Sequence, residues 1–292
     1  MKEKWWKNAV IYQIYPRSFM DANNDGVGDL KGIISKLDYL SFLGIDAIWL
    51  SPIYESPMED NGYDVSNYFK IAPVFGTMED MDELIAEAKK RNIRIIMDLV
   101  ANHTSKEHVW FKQALKGKDN PYHDFFYWQD QPDQKECSFG GSSWEYVPEL
   151  NEYYYHYFAK GQVDLNWTNP QVRKEVANIV NWWLDKGVAG FRMDAIELIG
   201  KDLKKGIFAN GPKIHEYLRE LNENCITVGE GWPTTSIALD YTRPENHELD
   251  MMFQFESACI TNNTNPLGKY DPVALDLVKL KEIFERWHHD LY

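Results

Sequence analysis

Three acidic side chains stand at the ends of apolar runs, where a fold could gather them: Asp98 in "IIMDLVANH", Asp194 in "GFRMDAIE" and Glu230 in "ITVGEGW". Taken singly, each reads equally well as a helix cap or a strand-end ion pair. Three of them at equivalent places in successive segments point to one rim. Arg192 lies two residues before Asp194, so in a strand both side chains point to the same side, and the positive charge is expected to hold Asp194 ionised as a nucleophile. Glu230 ends an apolar run and is followed by Trp232, so burial there would raise its proton affinity and suit a proton donor. A charged carboxylate facing a protonated carboxyl is equipment for cutting a glycosidic bond, and a separation of about 5.5 Å gives retention of configuration.

Such a rim needs parallel strands to carry it. Apolar, β-branched and aromatic runs recur at "AVIYQIY" from Ala9, "AIWLSP" from Ala47, "IRIIMDLV" from Ile93, "VAGFRMD" from Val188, "CITVGE" from Cys225 and "DMMFQFE" from Asp250. Helical periodicity fills the gaps: Leu30 to Leu43; a segment after "GTMED" with Thr77 and Asp80 as a capping box; Pro170 to Lys186; Pro212 to Asn222; and a weakly periodic stretch near Thr235. A last helix from Val273 places Val273, Leu277, Leu280, Phe284, Trp287 and Leu291 on one face. Repeated βα units without a glycine-rich phosphate turn after the first strand favour a (β/α)8 TIM-type barrel over a doubly wound sheet. The rhythm breaks from about Thr104 to Asn166, where "FYWQDQPDQKECSFGGSSWEY" and "EYYYHYF" predict a small antiparallel insert. The expected organisation is a first barrel part at 1–103, an inserted subdomain at 104–166 and a second barrel part at 167–292. Only six βα units fit, whereas a closed barrel of this kind needs eight, so a missing C-terminal segment or a second chain is expected to complete it.

The 45 acidic residues against 31 basic give a net charge of -14, which repels nucleic acid and anionic membranes. Three widely spaced cysteines fit neither a disulfide framework nor a zinc site, and no signal-peptide or membrane-length apolar run is present. These features predict a cytoplasmic protein. With 11 Trp and 17 Tyr the surface suits a neutral, stacking ligand such as a sugar. "DANNDGVGD" places Asp21, Asn23, Asp25 and Asp29 at spacings seen in calcium loops, with Gly26 at the turn and the Val27 carbonyl as a further oxygen. Gly32 stands where a bidentate Glu would close the shell, so the loop reads as a modest Ca2+ (or Mg2+) site or as a hydrophilic turn.

"DLVANH", "GFRMDAIE" and "VGE" resemble three signature blocks of the α-amylase family, glycoside hydrolase family 13. "YQIYPRSF", "SPMEDNGYD", "NGPKIHEYL" and "NHEL" resemble its oligo-1,6-glucosidase, dextran glucosidase and α-glucosidase branch. The resemblance implies Asp194 as nucleophile, Glu230 as general acid/base and Arg192 as the group that orients the nucleophile. It further implies that Tyr63 and His103 contact the glucose ring, that Asp60 holds hydroxyls at the non-reducing end, and that Asp64 and Asp98 support the rim. The metal loop is implied to be structural and remote from the sugar, and no organic cofactor is implied. The expected substrate is a short gluco-oligosaccharide cut from its terminus by a retaining, exo-acting α-glucosidase.

Two departures bear on linkage. Ala195 stands where the 1,6-cleaving relatives resemble "MDVI", and Val163 where they resemble "QPDLNW". A methyl-sized change in a pocket discriminates by only about 1–3 kcal/mol, so α-1,6 and α-1,4 linkages both remain open. Trehalose-6-phosphate hydrolase and sucrose isomerase share the same blocks, and a non-catalytic amylase-like binding or partner protein is the alternative from another class. The family's fourth block, a His-Asp pair, is not matched: His289 and Asp290 fall at the end of a predicted helix and are expected to have no catalytic role. Low turnover is therefore expected of these residues alone.

Overall fold

A computed structural model describes residues 4–221, 225–261 and 272–291. Six parallel strands, β1 (Ile11–Ile14), β2 (Ala47–Leu50), β3 (Arg94–Val100), β4 (Gly190–Asp194), β5 (Ile226–Gly229) and β6 (Met251–Met252), pair in chain order into one curled sheet. Sequential pairing with helical crossovers is the arrangement of a (β/α)8 barrel, of which these are six βα units. Each strand lies within the run expected for it.

Alternation along these strands divides the core in two. Ile48, Leu50, Ile95, Met97, Phe191 and Met193 face outward into the main core under the helices. Ala47, Ile96 and Ile226 face inward with Trp49 and Met251 in a separate, smaller cluster. Helices therefore cover one face of the sheet, and the other face is the barrel interior. Gly190 lets β4 approach β5, since a Cβ there would lie 1.9 Å from the Ile226 carbonyl oxygen.

Local chemistry sets the helices. Thr77 and Asp80 form the expected capping box at Met78–Lys90, which buries Met81, Leu84, Ile85 and Ala88. Asn169 caps Pro170–Lys186, Pro170 occupies its first position and Gly187 closes it in the left-handed region (φ 106). The helix expected over Leu30 to Leu43 is two, Leu30–Ser35 and Leu37–Phe42, because Lys36 (φ -104, ψ 1) leaves helical geometry. The last helix begins at Leu277, four residues later than expected, where Asp276 accepts bonds from the N–H groups of Val278 and Lys279. Its buried face is also different: Ile283 and Trp287 are covered, with Leu280 and Leu291 beside them, whereas Leu277 and Phe284 are exposed. Among the described residues no helix is long and apolar enough to cross a membrane.

Two loops overhang the rim. The Tyr54–Glu55/Asn67–Ile71 hairpin carries Asp60, Tyr63 and Asp64. Beyond β3, His103–Ser105 pairs antiparallel with Gln162–Asp164, so the intervening chain leaves and returns at one point. Between them Trp128–Gln129, Glu152–Tyr155 and Trp144–Val147 form a three-stranded antiparallel sheet.

Candidate active site

Register gathers the acids. Arg192 pairs with Asp98 across β4 and β3, and Met193 pairs with Gly229 across β4 and β5, which sets Asp194 and Glu230 side by side at the strand ends. Asp98, Arg192 and Glu230 lie on the interior parity, two residues beyond Ile96, Gly190 and Val228 respectively, and Asp194 lies two beyond Arg192.

Arg192 is the hub. Its Nη1 donates to Asp98 Oδ1 (2.7 Å), Asp98 Oδ2 (2.9 Å) and Asp194 Oδ1 (2.9 Å), and its Nη2 lies 2.6 Å from Glu230 Oε2. One guanidinium thus touches three carboxylates, a use of its forked geometry that a lysine could not reproduce. Trp49, Tyr63 and Phe253 surround it, their ring centroids 5.2, 5.6 and 5.9 Å from its Cζ. Asp98 is fully buried and also accepts from Trp49 Nε1 (3.1 Å) and the Tyr63 hydroxyl (3.3 Å).

The electrostatics differ in one respect from the sequence expectation. Arg192 pulls Asp194 down, yet burial outweighs it and leaves the carboxyl above the ordinary aspartate range, with the Asp60 charge adding to the rise. Glu230 is raised first by burial and then by the Asp194 charge, against Arg192. Three acids share one cation, so protons are divided among them. Asp194 and Glu230 are both raised by burial against the one guanidinium between them, so the two carboxyls titrate together.

Around this core the other expected residues take distinct places. Asp60 Oδ2 accepts from Gln162 Nε2 (2.9 Å). Asp64 is fully buried and accepts from Ser56 Oγ (2.8 Å) and from the N–H groups of Glu59 (3.0 Å) and Asp60 (3.2 Å), which fixes the loop bearing Asp60 and Tyr63. His103 is buried and held neutral, burial lowering its proton affinity. Its Nε2 lies 3.0 Å from the Tyr63 carbonyl and 3.1 Å from Gln162 Nε2, and its Nδ1 lies 3.2 Å from the Asn102 amide nitrogen. Both ring nitrogens are engaged by protein, so a sugar contact from His103 requires one of these bonds to exchange.

Trp49, Phe253, Gln162 and the buried trio of Asn102, Asp164 and Lys201 were not singled out from the sequence. Lys201 Nζ lies 2.7 Å from Asp164 Oδ2 and donates to Asn102 Oδ1, tying the turn after β4 to the insert and to His103. Inward parity on the "AIWL" strand marks Trp49, but Lys201 lies far in sequence from its partners and has no local signal. His289 and Asp290 lie on the last helix, where Asp290 Oδ2 accepts from Thr235 Oγ1 (2.6 Å).

The metal loop folds on itself. Asp21 accepts from the N–H groups of Asn23, Asn24 and Gly26, and Asp25 from that of Val27. Asp29 accepts from Ala22 and caps Leu30–Ser35 through Gly32. Among the described residues no three acidic, His or Cys side chains converge as metal ligands.

The family description "Alpha amylase, catalytic domain" matches residues 13–292. The chain is 53% identical over its whole length to glucan 1,6-α-glucosidase of Streptococcus pneumoniae and 50% identical over 99% of its length to oligo-1,6-glucosidase of Heyndrickxia coagulans. It spans 56% and 57% of those relatives. The crystal structure of trehalose-6-phosphate hydrolase from Bacillus licheniformis superposes with a TM-score of 0.94 at 44% identity, over 99% of this chain and 56% of that one.

Proposed function

The chain belongs to the α-amylase family, and on that premise we propose that the protein is a retaining, exo-acting α-glucosidase that removes terminal glucose from short α-1,6- and α-1,4-linked oligosaccharides. The observation that carries this reading is the pairing of Asp194 with Glu230 at one register, both bound to Arg192. Asp194 attacks the anomeric carbon as Glu230 passes its proton to the departing glycosidic oxygen. Glu230, now a carboxylate, takes a proton from water, whose oxygen displaces Asp194 and restores both groups. Asp98 and Arg192 hold the pair, and Tyr63 offers its ring to the sugar. Asp60 keeps lone pairs for hydroxyls beyond its bond to Gln162.

The names of the relatives favour α-1,6 linkages, and Ala195 leaves room for α-1,4. Of the cations at the site, Arg192 and Lys201 are both buried against carboxylates, which leaves neither for a substrate phosphate. Retention of Asp194 and Glu230 argues against a non-catalytic partner protein. With the chain extended to the length of its relatives, isomaltose and maltose should both be hydrolysed and proton NMR should show α-glucose as the first product. Initial release of β-glucose would overturn the retaining assignment.

The loop at Asp21–Asp29 fits a structural Ca2+ or Mg2+ by its donor chemistry, which is all oxygen: Asp21, Asn23, Asp25, the Val27 carbonyl and Asp29. A carboxylate already bonded to N–H groups keeps lone pairs for an ion. The ion would hold the loop against the helix that Asp29 caps. At a hundred times its dissociation constant such an ion adds about 2.7 kcal/mol of stability. The Tm should therefore fall with EDTA and recover with Ca2+, whereas a Tm indifferent to chelator would identify a bare turn.

A further inference from the structure

The turns that follow Asp194 and Glu230 are joined by an acid that the mechanism above does not use. After Asp194 the chain passes through Ala195 in the left-handed region (φ 43) into a short helical turn, Ile196–Gly200. The Ile196 N–H donates to the Glu230 carbonyl (3.0 Å), and the Ala195 N–H donates to Glu230 Oε2 (3.2 Å). From the other direction, the Trp232 N–H donates to Glu197 Oε2 (3.0 Å). Gly231 lies between, where a Cβ would sit 2.8 Å from the same Glu197 oxygen. The chain leaving Glu230 is thus drawn tightly over the Glu197 carboxylate.

Glu197 is itself held from behind. The Asn210 N–H donates to the Glu197 carbonyl (2.8 Å), and the Tyr241 hydroxyl donates to Asn210 Oδ1 (2.5 Å). A neutral acceptor would satisfy the Trp232 N–H equally well. The negative charge is the feature that hydrogen bonding alone does not require.

We propose that Glu197 is a positioning residue for Glu230: through the Trp232 N–H it holds the turn that carries the acid/base carboxyl, and it sets a second carboxyl group behind that one. The titratable groups facing it are Glu230 from the end of β5, Tyr157 from the insert and Tyr241 from the Thr235–Thr242 helix, while Arg192 reaches Glu230 from the opposite side. Glu197 is raised first by burial, and the Glu230 charge also raises it. Coulomb interaction is mutual, so an ionised Glu197 raises the proton affinity of Glu230. The effect extends the pH range in which Glu230 can donate.

The inference rests on the glucosidase reading, and the test separates the two. In the protein at the length of its relatives, Glu197→Gln keeps an oxygen for the Trp232 N–H and removes the charge. The basic limb of its kcat/KM profile should move to lower pH by several tenths of a unit, with kcat within about tenfold of the parent. Glu197→Ala removes both contributions, so kcat should fall about 10²-fold with KM little changed. That loss should be larger on isomaltose, whose leaving group needs the proton, than on p-nitrophenyl α-glucoside, whose leaving group does not. Equal losses on both substrates with unmoved pH profiles would reduce Glu197 to a packing residue and overturn the inference. A parent protein inactive on both substrates would instead overturn the glucosidase reading, and this inference with it.

Discussion

Asp194→Asn is expected to lower turnover of p-nitrophenyl α-glucoside by about 10⁴-fold or more, because the amide cannot form the bond to the anomeric carbon and no second group stands in its place. Glu230, the carboxyl at the end of the neighbouring strand, has its Oε2 tied to Arg192 and to the Ala195 N–H. The loss should come without unfolding. Burial raises Asp194 above its unfolded-state value, so the folded protein favours its protonated form. A group raised in this way stabilises the fold below its unfolded pKa and costs stability as pH rises through the folded value. Replacing it with a neutral amide removes that cost. The variant should therefore melt at or above the parent Tm at neutral pH, the usual exchange between a strained functional site and stability. Turnover within tenfold of the parent would sink the nucleophile assignment. A large drop in Tm would show that Asp194 holds the fold together.

The strands and their terminal acids were legible in the sequence because they depend on short-range pattern. Each strand is an apolar run, Asp194 ends β4 and Glu230 follows β5, whereas Asp98 lies two residues inside the end of β3, and the parity of Arg192 and Asp194 follows from two-residue spacing. The capping box at Thr77 and the Asn169–Pro170 start were equally local. What escaped depends on pairings distant in sequence. Lys201 meets Asn102 only because the turn after β4 folds over the end of β3, and Gln162 reaches Asp60 only because the insert returns beside His103. The face of the last helix was misassigned for a related reason. Periodicity shows an apolar stripe, but which part of the stripe is covered depends on packing: the helix lies against Ala238 and Ile260 through Ile283 and Trp287, which leaves Phe284 outside.

The charge on Asp194 illustrates the same limit within the site. Arg192 is two residues away, and from that spacing alone its attraction dominates. In the fold the same guanidinium is divided among Asp98, Asp194 and Glu230, and desolvation, which no local pattern reports, decides the direction.

That division makes Arg192 the most consequential structural residue of the site, and Arg192→Gln its sharpest test. Removing one partner of a buried ion pair leaves uncompensated charge and costs about 3–5 kcal/mol. Here three acids lose their cation together. All three are already raised by burial, Asp98 to about 7, and Arg192 is what opposes the rise. Without it their folded-state proton affinities climb further, while the unfolded-state values stay near ~4. The sign follows from linkage: stability tied to a raised carboxyl is present below pH ~4 and is lost as pH rises through the folded value. Urea titrations of the variant against the parent should therefore show a deficit of about 3–5 kcal/mol at pH 7.5 that shrinks as pH falls toward 5, where the acids take up protons in the fold. Turnover at neutral pH should fall by about 10³-fold, since Asp194 and Glu230 both lose the cation that holds them. A deficit of equal size at pH 5 and pH 7.5 would show that Arg192 acts through packing against Trp49, Tyr63 and Phe253 and not through its charge.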